Sequence, residues 1–195
     1  MPKIVDRQEQ RRRIGAALLR LAAEQGLDQV SVRTVAAACG RSAGAVQKYF
    51  STKEDMLVFA AEMAGERIEE RMALVDTGLP LRQALHELIL TTLPLDEERR
   101  AEAAAQLAFA VHAAHHPRLG AIRRQVDDDV KQALVAWLET AACPAPAATA
   151  DAVIALSDGL ALRMLYAPEQ HAPLLAALDH ALDTLTAVGR QVGGG

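Results

Sequence analysis

The fold of this chain is decided by residues 31–57, which read SVRTVAAACGRSAGAVQKYFSTKEDML. Ser31 and Ser42 each precede a short helical pattern, and a serine hydroxyl at that position can accept a hydrogen bond from a backbone N–H of the first turn. Gly40 supplies the turn between the two patterns. Two short helices joined in this way are typical of a helix-turn-helix unit. We therefore predict such a unit here, with its second helix at about residues 43–49.

The residues on either side of this unit also predict helices. Apolar residues between positions 14 and 22 recur at helical spacing, which predicts a first helix at about Arg7 to Gln25. Gly26 follows it, and a glycine just past a helix commonly ends it in a left-handed conformation. Ser51 and Glu54 have the spacing of a capping box for a long fourth helix, which we expect to end at about Val75.

The remainder of the chain predicts further helices separated by proline and glycine. Breaks are expected around residues 78–80, at Pro94 and at Pro117, and a loop is expected at residues 143–149. Residues 103–114 and 119–137 have helical periods that place Leu107, Val111, Val126 and Val130 inward. An eighth helix at about residues 150–166 is apolar on nearly every side, and the last helix spans about residues 173–189. The fold class is thus predicted as all-α, with about nine helices.

The predicted organisation has three parts. We expect residues 1–53 to form the helix-turn-helix domain, residues 54–190 to form a larger helical domain, and residues 191–195 to form a flexible tail. Hydrophobic residues make up 51% of the chain and charged residues 24%, which is typical of a globular protein. No apolar run is long enough to span a bilayer, so we expect a cytoplasmic protein that does not contact membranes.

The charge is divided unevenly along the chain. Residues 1–55 carry ten Lys or Arg and six Asp or Glu, a formal charge of +4; since the whole chain has −4, the remainder has −8. A basic N-terminal part on an acidic body indicates that only this part binds a polyanion. Ordinary solvated surface charge would explain the run Arg11–Arg13 alone.

The quoted segment resembles the DNA-binding motif of the TetR family of bacterial transcription regulators. The resemblance rests on a capping Ser31, the pair Val35–Ala36, the run Gly40-Arg41-Ser42-Ala43-Gly44, the pair Tyr49–Phe50 and the run Lys53–Leu57. It covers the first third of the chain. Two positions depart from the family pattern, because Arg41 stands where an apolar residue is usual and Gln47 where tyrosine is common.

The resemblance implies that the second helix of the unit enters the major groove of DNA. Gly44 and its alanine neighbours keep the leading end of that helix thin, and Gln47 can pair bidentately with adenine. Arg33 and Arg41 can contact guanine or phosphate, while Tyr49 and Lys53 occupy positions that the family uses against the DNA backbone. The residues predicted to bind DNA are Ser31, Arg33, Thr34, Arg41, Ser42, Ala43, Gly44, Gln47, Lys48, Tyr49 and Lys53.

Residues 95–102 and 157–163 resemble the C-terminal domain of BetI-like members of the same family. This implies a homodimer in which the eighth and ninth helices of two copies form a four-helix bundle. The predicted interface residues are Val153, Leu156, Leu160, Leu178, Leu182 and Leu185. The alternative for the eighth helix is burial within a single chain.

The resemblance also implies an effector pocket inside the C-terminal domain. The candidate lining residues are Phe59, Met63, Ile89, Phe109, His112, Trp137 and Met164, although core packing explains each of them taken singly. We expect a repressor that binds a palindromic duplex DNA operator and is released by a small molecule, with no cofactor.

The sequence also bears on three other functional classes. An enzyme is not expected, because the chain has no phosphate-binding glycine loop and no HExxH or GxSxG motif. A helical ligand-binding or adaptor protein without sequence-specific DNA binding would explain the amphipathic helices but not the basic N-terminus. His112, His115 and His116 share a helical face, which leaves a metal-sensing regulator open; no metal site is predicted, since no nearby cysteine completes a ligand set. Cys39 and Cys143 are expected to be free thiols.

Overall fold

In the computed structural model, residues 7–187 are described, and within that range the chain forms nine α-helices and no β-strand. Two short 3₁₀ turns, Leu27–Gln29 and Pro168–Gln170, precede α2 and α9. The predicted all-α fold is confirmed. The helices are α1 Arg7–Gln25, α2 Val32–Ala38, α3 Ala43–Gln47, α4 Lys53–Met72, α5 Leu81–Leu90, α6 Glu97–Ala114, α7 Pro117–Thr140, α8 Pro146–Tyr166 and α9 His171–Ala187. The predicted tail at 191–195 lies outside the described residues.

The helix starts are set by side-chain caps, as the sequence indicates for α2 and α3. The Ser31 hydroxyl accepts from the Thr34 N–H at 3.1 Å while the Thr34 hydroxyl accepts from the Ser31 N–H at 2.9 Å. The Ser42 hydroxyl accepts from the Ala45 N–H at 3.2 Å. At α4 the predicted cap is wrong: Thr52 rather than Ser51 accepts the hydrogen bond, from the Asp55 N–H at 3.0 Å.

Several helix ends differ from the predicted ones. The α4 helix ends at Met72 rather than Val75, and α3 ends at Gln47 rather than Tyr49. The expected loop at residues 143–149 is shorter, because α8 already begins at Pro146. Proline is well suited to the first turn of a helix, where its missing N–H leaves no intrahelical bond unmade. Gly26 ends α1 with a φ of 79°, in the left-handed region that favours glycine.

The described chain divides into two compact units whose limits differ from the predicted boundary at residue 53. The first contains residues 7–69 and Asp96–Gly120, and the second contains Glu70–Leu95 and residues 121–187. The first unit is larger than the expected DNA-binding domain because α4 and α6 share its core. Phe59 and Met63 of α4, Phe109 of α6 and Ile14 of α1 belong to one buried cluster.

The second unit has a core of its own. Its buried side chains come from α5, α7, α8 and α9, among them Leu85, Leu138, Leu160 and Leu178. The Thr92 and Ser157 hydroxyls lie 2.6 Å apart and connect the residues after α5 with α8. No helix in the described range is long and apolar enough to cross a membrane.

The predicted inward faces of α6 and α7 are partly wrong. Leu107, Val111, Val126 and Val130 are exposed rather than buried, by 36%, 59%, 48% and 39% of their surface respectively. In α6 the buried residues are instead Glu102, Ala105, Phe109 and Ala113. This helix is rich in alanine on every side, so its apolar period alone does not single out one face.

Candidate nucleic-acid interface and effector region

The α2 and α3 helices bury one side and expose the other. Val35, Ala36 and Val46 are buried in the core of the first unit. Arg33, Gln47 and Lys48 are exposed, and no hydrogen bond or ion pair between side chains of the described residues engages them. A Cβ added at Gly44 would meet no atom within 4 Å, so the leading end of α3 is open to solvent. The exposed polar side chains of these helices are therefore available to another molecule.

Four predicted DNA-binding residues have structural roles within the chain. The hydroxyls of Ser31, Thr34 and Ser42 form the helix caps, and Tyr49, which is half-buried, packs against the core cluster. Ala43 is half-buried in the first turn of α3. These roles do not exclude contacts with a phosphate, because a capped helix start still presents free N–H groups.

Arg41 and Lys53, also predicted to bind DNA, have partners in their own chain. The Arg41 guanidinium donates to the side-chain oxygen of Gln10, a glutamine that is 5% exposed. Lys53 donates from Nζ to the backbone oxygen of Leu27 at 3.0 Å. Arg41 thus connects the turn before α3 with α1, and Lys53 connects the start of α4 with the turn after α1. Neither partner can be predicted from local sequence, because each is at least 26 residues away.

The basic excess of the N-terminal part is partly neutralised inside the first unit. Arg12 pairs with Glu66 of α4 at 3.0 Å, and Arg13 pairs with Glu9 one turn earlier in α1. The prediction that the basic residues as a group face a polyanion therefore applies to fewer side chains than the composition suggests. Arg33, Arg41 and Lys48 are the exposed cations of α2, α3 and the turn between them, and of these Arg41 is bonded to Gln10.

The predicted effector-pocket residues belong to two different units. Phe59, Met63 and Phe109 are buried in the core of the first unit, and Ile89 and Met164 in that of the second. His112 is half-buried in the first unit, and Trp137 packs against the core of the second. For Phe59 and Met63 the packing partner is specific: a Cβ added to Gly15 of α1 would lie 2.5 Å from Met63 Sδ and 3.2 Å from Phe59 Cδ1. Ligand binding by any of these residues stays a prediction.

The predicted dimer residues lie mostly in the chain's own core. Val153, Leu160, Leu178 and Leu182 are at most 5% exposed, and Leu156 and Leu185 are half-buried. The first four belong to the core of the second unit, and their part in a dimer interface stays a prediction. The α8 helix is not buried all round in the described chain, since its outward side carries Leu162 and Tyr166, which are 42% and 68% exposed. Both were assigned no role by the sequence argument.

The outward side of α8 also carries a carboxylate with an altered proton affinity. Partial desolvation raises the pKa of Asp158 above its ordinary value, against the opposing charge of Arg123, and the Asp127 carboxylate raises it further. The folded chain consequently holds the Asp158 proton more tightly than a fully solvated aspartate would.

The histidines and cysteines form no assembled centre. The rings of His112 and His116 stack with their centroids 6.3 Å apart. Among residues 7–187, no group of three His, Cys, Asp or Glu side chains is placed to hold a metal ion. Cys39 and Cys143 are free, as predicted. Burial raises the pKa of the Cys39 thiol, although Arg41 and Arg20 lower it in part.

Comparison with known proteins identifies both parts of the chain. Residues 14–58 match the family model of bacterial regulatory proteins of the tetR family, and residues 80–187 match the C-terminal domain of BetI-type transcriptional repressors. The chain is 30% identical over 174 residues to the HTH-type transcriptional regulator PksA of Bacillus subtilis (strain 168), which covers 86% of this chain and 84% of the relative.

Solved structures agree with this assignment. A transcriptional regulator from Rhodococcus sp. Rha1 is 38% identical, with a TM-score of 0.84 over 90% of this chain and 95% of its own. The multidrug binding protein EbrR, solved in complex with imidazole, is 25% identical, with a TM-score of 0.68 over 91% of this chain and 90% of its own. Members of this family are transcriptional regulators and not enzymes, as the sequence analysis predicted. This chain belongs to the TetR family of bacterial transcriptional regulators, and it carries a BetI-type C-terminal domain.

Proposed function

We propose that this chain is a homodimeric repressor that reads a palindromic operator through α3 and releases it when a small molecule binds the C-terminal domain. The observation that carries the proposal is the exposed side of the capped α2–α3 unit, where Arg33, Gln47 and Lys48 have no partner among the described side chains. A surface of this kind supplies both sequence reading and attraction to phosphate.

The three exposed residues are suited to different kinds of DNA contact. Gln47 presents an amide that can pair with the N6 and N7 positions of adenine, and this pairing carries sequence information. Lys48 supplies a charge that neutralises one phosphate, whatever the base sequence. Arg33 can serve either purpose. Arg41 and Lys53 keep a supporting role in the proposal, since their intramolecular bonds hold the α1, α3 and α4 segments in place.

The dimer surface in this proposal is the outward side of α8 together with the adjoining exposed residues of α9. Leu162 and Tyr166 are large side chains left in solvent one turn apart, and Ala155 and Gly159 continue the same side toward the helix start. Burying such a surface against a second copy would remove apolar area from water. The three core leucines and the valine that the sequence pointed to (Leu160, Leu178, Leu182 and Val153) pack on the inner sides of α8 and α9.

The effector is proposed to be an apolar small molecule bound within the C-terminal domain. The relationship to EbrR, a multidrug binding protein complexed with imidazole, supports a small-molecule role for this part of the chain. Ile89, Trp137 and Met164 are the pocket candidates of the second unit, and Phe59, Met63, Phe109 and His112 those of the first. Because α4 begins beside the turn after α1 and continues past Phe59, its displacement would change the spacing of two reading heads.

The direct test is to select bound duplexes from a random pool with the wild-type protein and with Gln47→Ala. We expect the wild type to enrich a palindrome with half-site centres about 34–36 Å apart. Gln47→Ala is expected to lose preference at one base pair per half-site, by about 1–3 kcal/mol. No enrichment by the wild type would refute the regulator proposal, and an unchanged motif with Gln47→Ala would refute direct readout by Gln47.

A further inference from the structure

Arg11 has surroundings unlike those of the other basic residues in the N-terminal run. Its guanidinium carbon lies 4.4 Å from the ring centroid of Phe59 and 5.0 Å from that of Phe50. The two rings are themselves 5.3 Å apart and tilted by 53°. Both distances from the cation are within the roughly 6 Å over which a cation is attracted to an aromatic face. Arg11, Phe50 and Phe59 therefore form one cluster of mutually contacting side chains, which we call the Arg11 clamp.

The two rings of the clamp are buried and Arg11 is half-buried, whereas Arg12 and Arg13 are exposed. Phe50 and Phe59 are 2% and 7% exposed, and the Arg11 Nε atom is buried with no hydrogen-bond partner among the described residues. Arg12 and Arg13 instead form exposed ion pairs with carboxylates. The Arg11 guanidinium thus lies against two ring faces, and its Nε atom is not available to a DNA phosphate.

The clamp joins three segments of the first unit. Arg11 is in α1, Phe59 is in α4, and Phe50 follows α3, to which it is bonded through its N–H and the Val46 carbonyl at 3.2 Å. One turn along α1 from Arg11, Gly15 allows Phe59 to lie against the helix backbone, because a Cβ there would be 3.2 Å from the ring. The orientation of α3 on α1 and α4 consequently depends on how these three side chains pack.

We infer that Arg11 is a positioning residue for DNA reading, which holds α3 in the orientation that its exposed side chains need without itself touching DNA. The inference rests on the proposed function, since it takes α3 as the reading helix. Lysine cannot replace arginine in this role, because a compact ammonium has no planar face to lie against two rings. A residue that contacts phosphate only through its charge would tolerate that exchange.

The test compares Arg11→Lys with the matched exchange Arg13→Lys, which also keeps the charge but affects an exposed pair. Each protein is titrated with the selected operator and with a random duplex over a range of salt concentrations. We expect Arg11→Lys to bind the operator about three- to tenfold more weakly, since a smaller fraction of molecules would hold α3 in the competent orientation. Its affinity for random duplex and its salt slope are expected to match the wild type. Arg13→Lys is expected to behave as the wild type on both duplexes.

Two further variants separate positioning from phosphate contact. Arg11→Met is expected to resemble Arg11→Lys, with an unchanged salt slope, whereas Lys48→Ala is expected to weaken both duplexes and to reduce the slope by about one unit. If Arg11→Met fails to fold, as judged by thermal unfolding, Arg11→Lys decides the question alone.

Three results would overturn the inference. Wild-type operator affinity in Arg11→Lys, with a reduced salt slope in Arg11→Met, would make Arg11 a phosphate contact. Wild-type operator affinity and salt slope in both Arg11→Lys and Arg11→Met would show that the clamp contributes only to folding stability and not to DNA reading. If the wild type itself bound the operator and the random duplex equally, the proposed function would fail and the inference with it. The wild-type titration therefore distinguishes failure of the proposed function from the two results that overturn the inference alone.

Discussion

The close approach of α1 to α4 at Gly15 can be tested by adding one methyl group. In Gly15→Ala the new carbon would lie 2.5 Å from Met63 Sδ and 3.2 Å from Phe59 Cδ1, so both side chains must shift. Replacing glycine by alanine inside a helix favours folding by about 0.5–1 kcal/mol. Overpacking a core costs about 1–3 kcal/mol, and the flexible end of a methionine places this site toward the lower value. We expect a net loss of up to about 1 kcal/mol in the free energy of unfolding.

The measurement is urea unfolding at one fixed protein concentration, since dimerisation makes the apparent stability depend on concentration. Gly65→Ala, in α4, is the matched control, because a Cβ there meets no atom within 4 Å. This control is expected to gain up to about 1 kcal/mol. In a Met63→Ala background the main obstacle is gone, so Gly15→Ala is expected to become neutral or stabilising.

Gly15→Ala is expected to lower the free energy of unfolding in the wild-type background but not in the Met63→Ala background. The quantity to compare is the difference between these two changes. A Gly15→Ala variant as stable as Gly65→Ala in the wild-type background would show that α1 and α4 are not in close contact. An equal loss of stability in both backgrounds would show that Met63 is not the residue that the added methyl group contacts. Either result would refute the packing described for the first unit.

Three other predictions concern the surface and the titrating groups. Leu162→Glu is expected to dissociate the dimer in sedimentation velocity at micromolar concentration, because the charge would be buried in the interface; Leu74→Glu, at a position 85% exposed, is the control and should sediment as the wild type. Because the pKa of Asp158 is raised in the folded chain, the wild type is expected to lose stability as the pH rises from about 4 through that raised pKa. Asp158→Asn should therefore melt at a higher temperature than the wild type at pH 7 and lose this advantage near pH 4. Since burial raises the pKa of Cys39, its thiol in a Cys143→Ser variant should react with iodoacetamide at pH 7 more slowly than free cysteine; a faster reaction would contradict the described environment.

Features that depend on local sequence were predicted well. Ser31 and Ser42 cap α2 and α3 as expected. Gly26 ends α1 at the expected residue. Such features involve residues at most five positions apart, so residue type and spacing are sufficient to predict them.

Features that depend on distant partners were not predicted. Glu102 is 2% exposed although it carries a carboxylate. Its burial is explained by an ion pair with Arg67 of α4, whose guanidinium nitrogen lies 3.2 Å from the Glu102 carboxylate oxygen. Arg11 was grouped with its basic neighbours, because nothing in the sequence shows that Phe50 and Phe59 meet it. Val153, Leu156 and Leu160 of α8 were taken as interface candidates, since periodicity cannot distinguish burial within a chain from burial against a partner.

The central claim, that this regulator reads a palindromic sequence as a dimer, is tested most directly by one titration. The selected operator and a duplex of the same composition in scrambled order are titrated with the wild-type protein at physiological salt, and the stoichiometry is read from the same data. We predict two protomers per operator and an affinity at least about 10³-fold above that for the scrambled duplex, as is typical of specific DNA recognition. Equal affinity for both duplexes, or binding of one protomer to an isolated half-site as tightly as to the palindrome, would contradict the account.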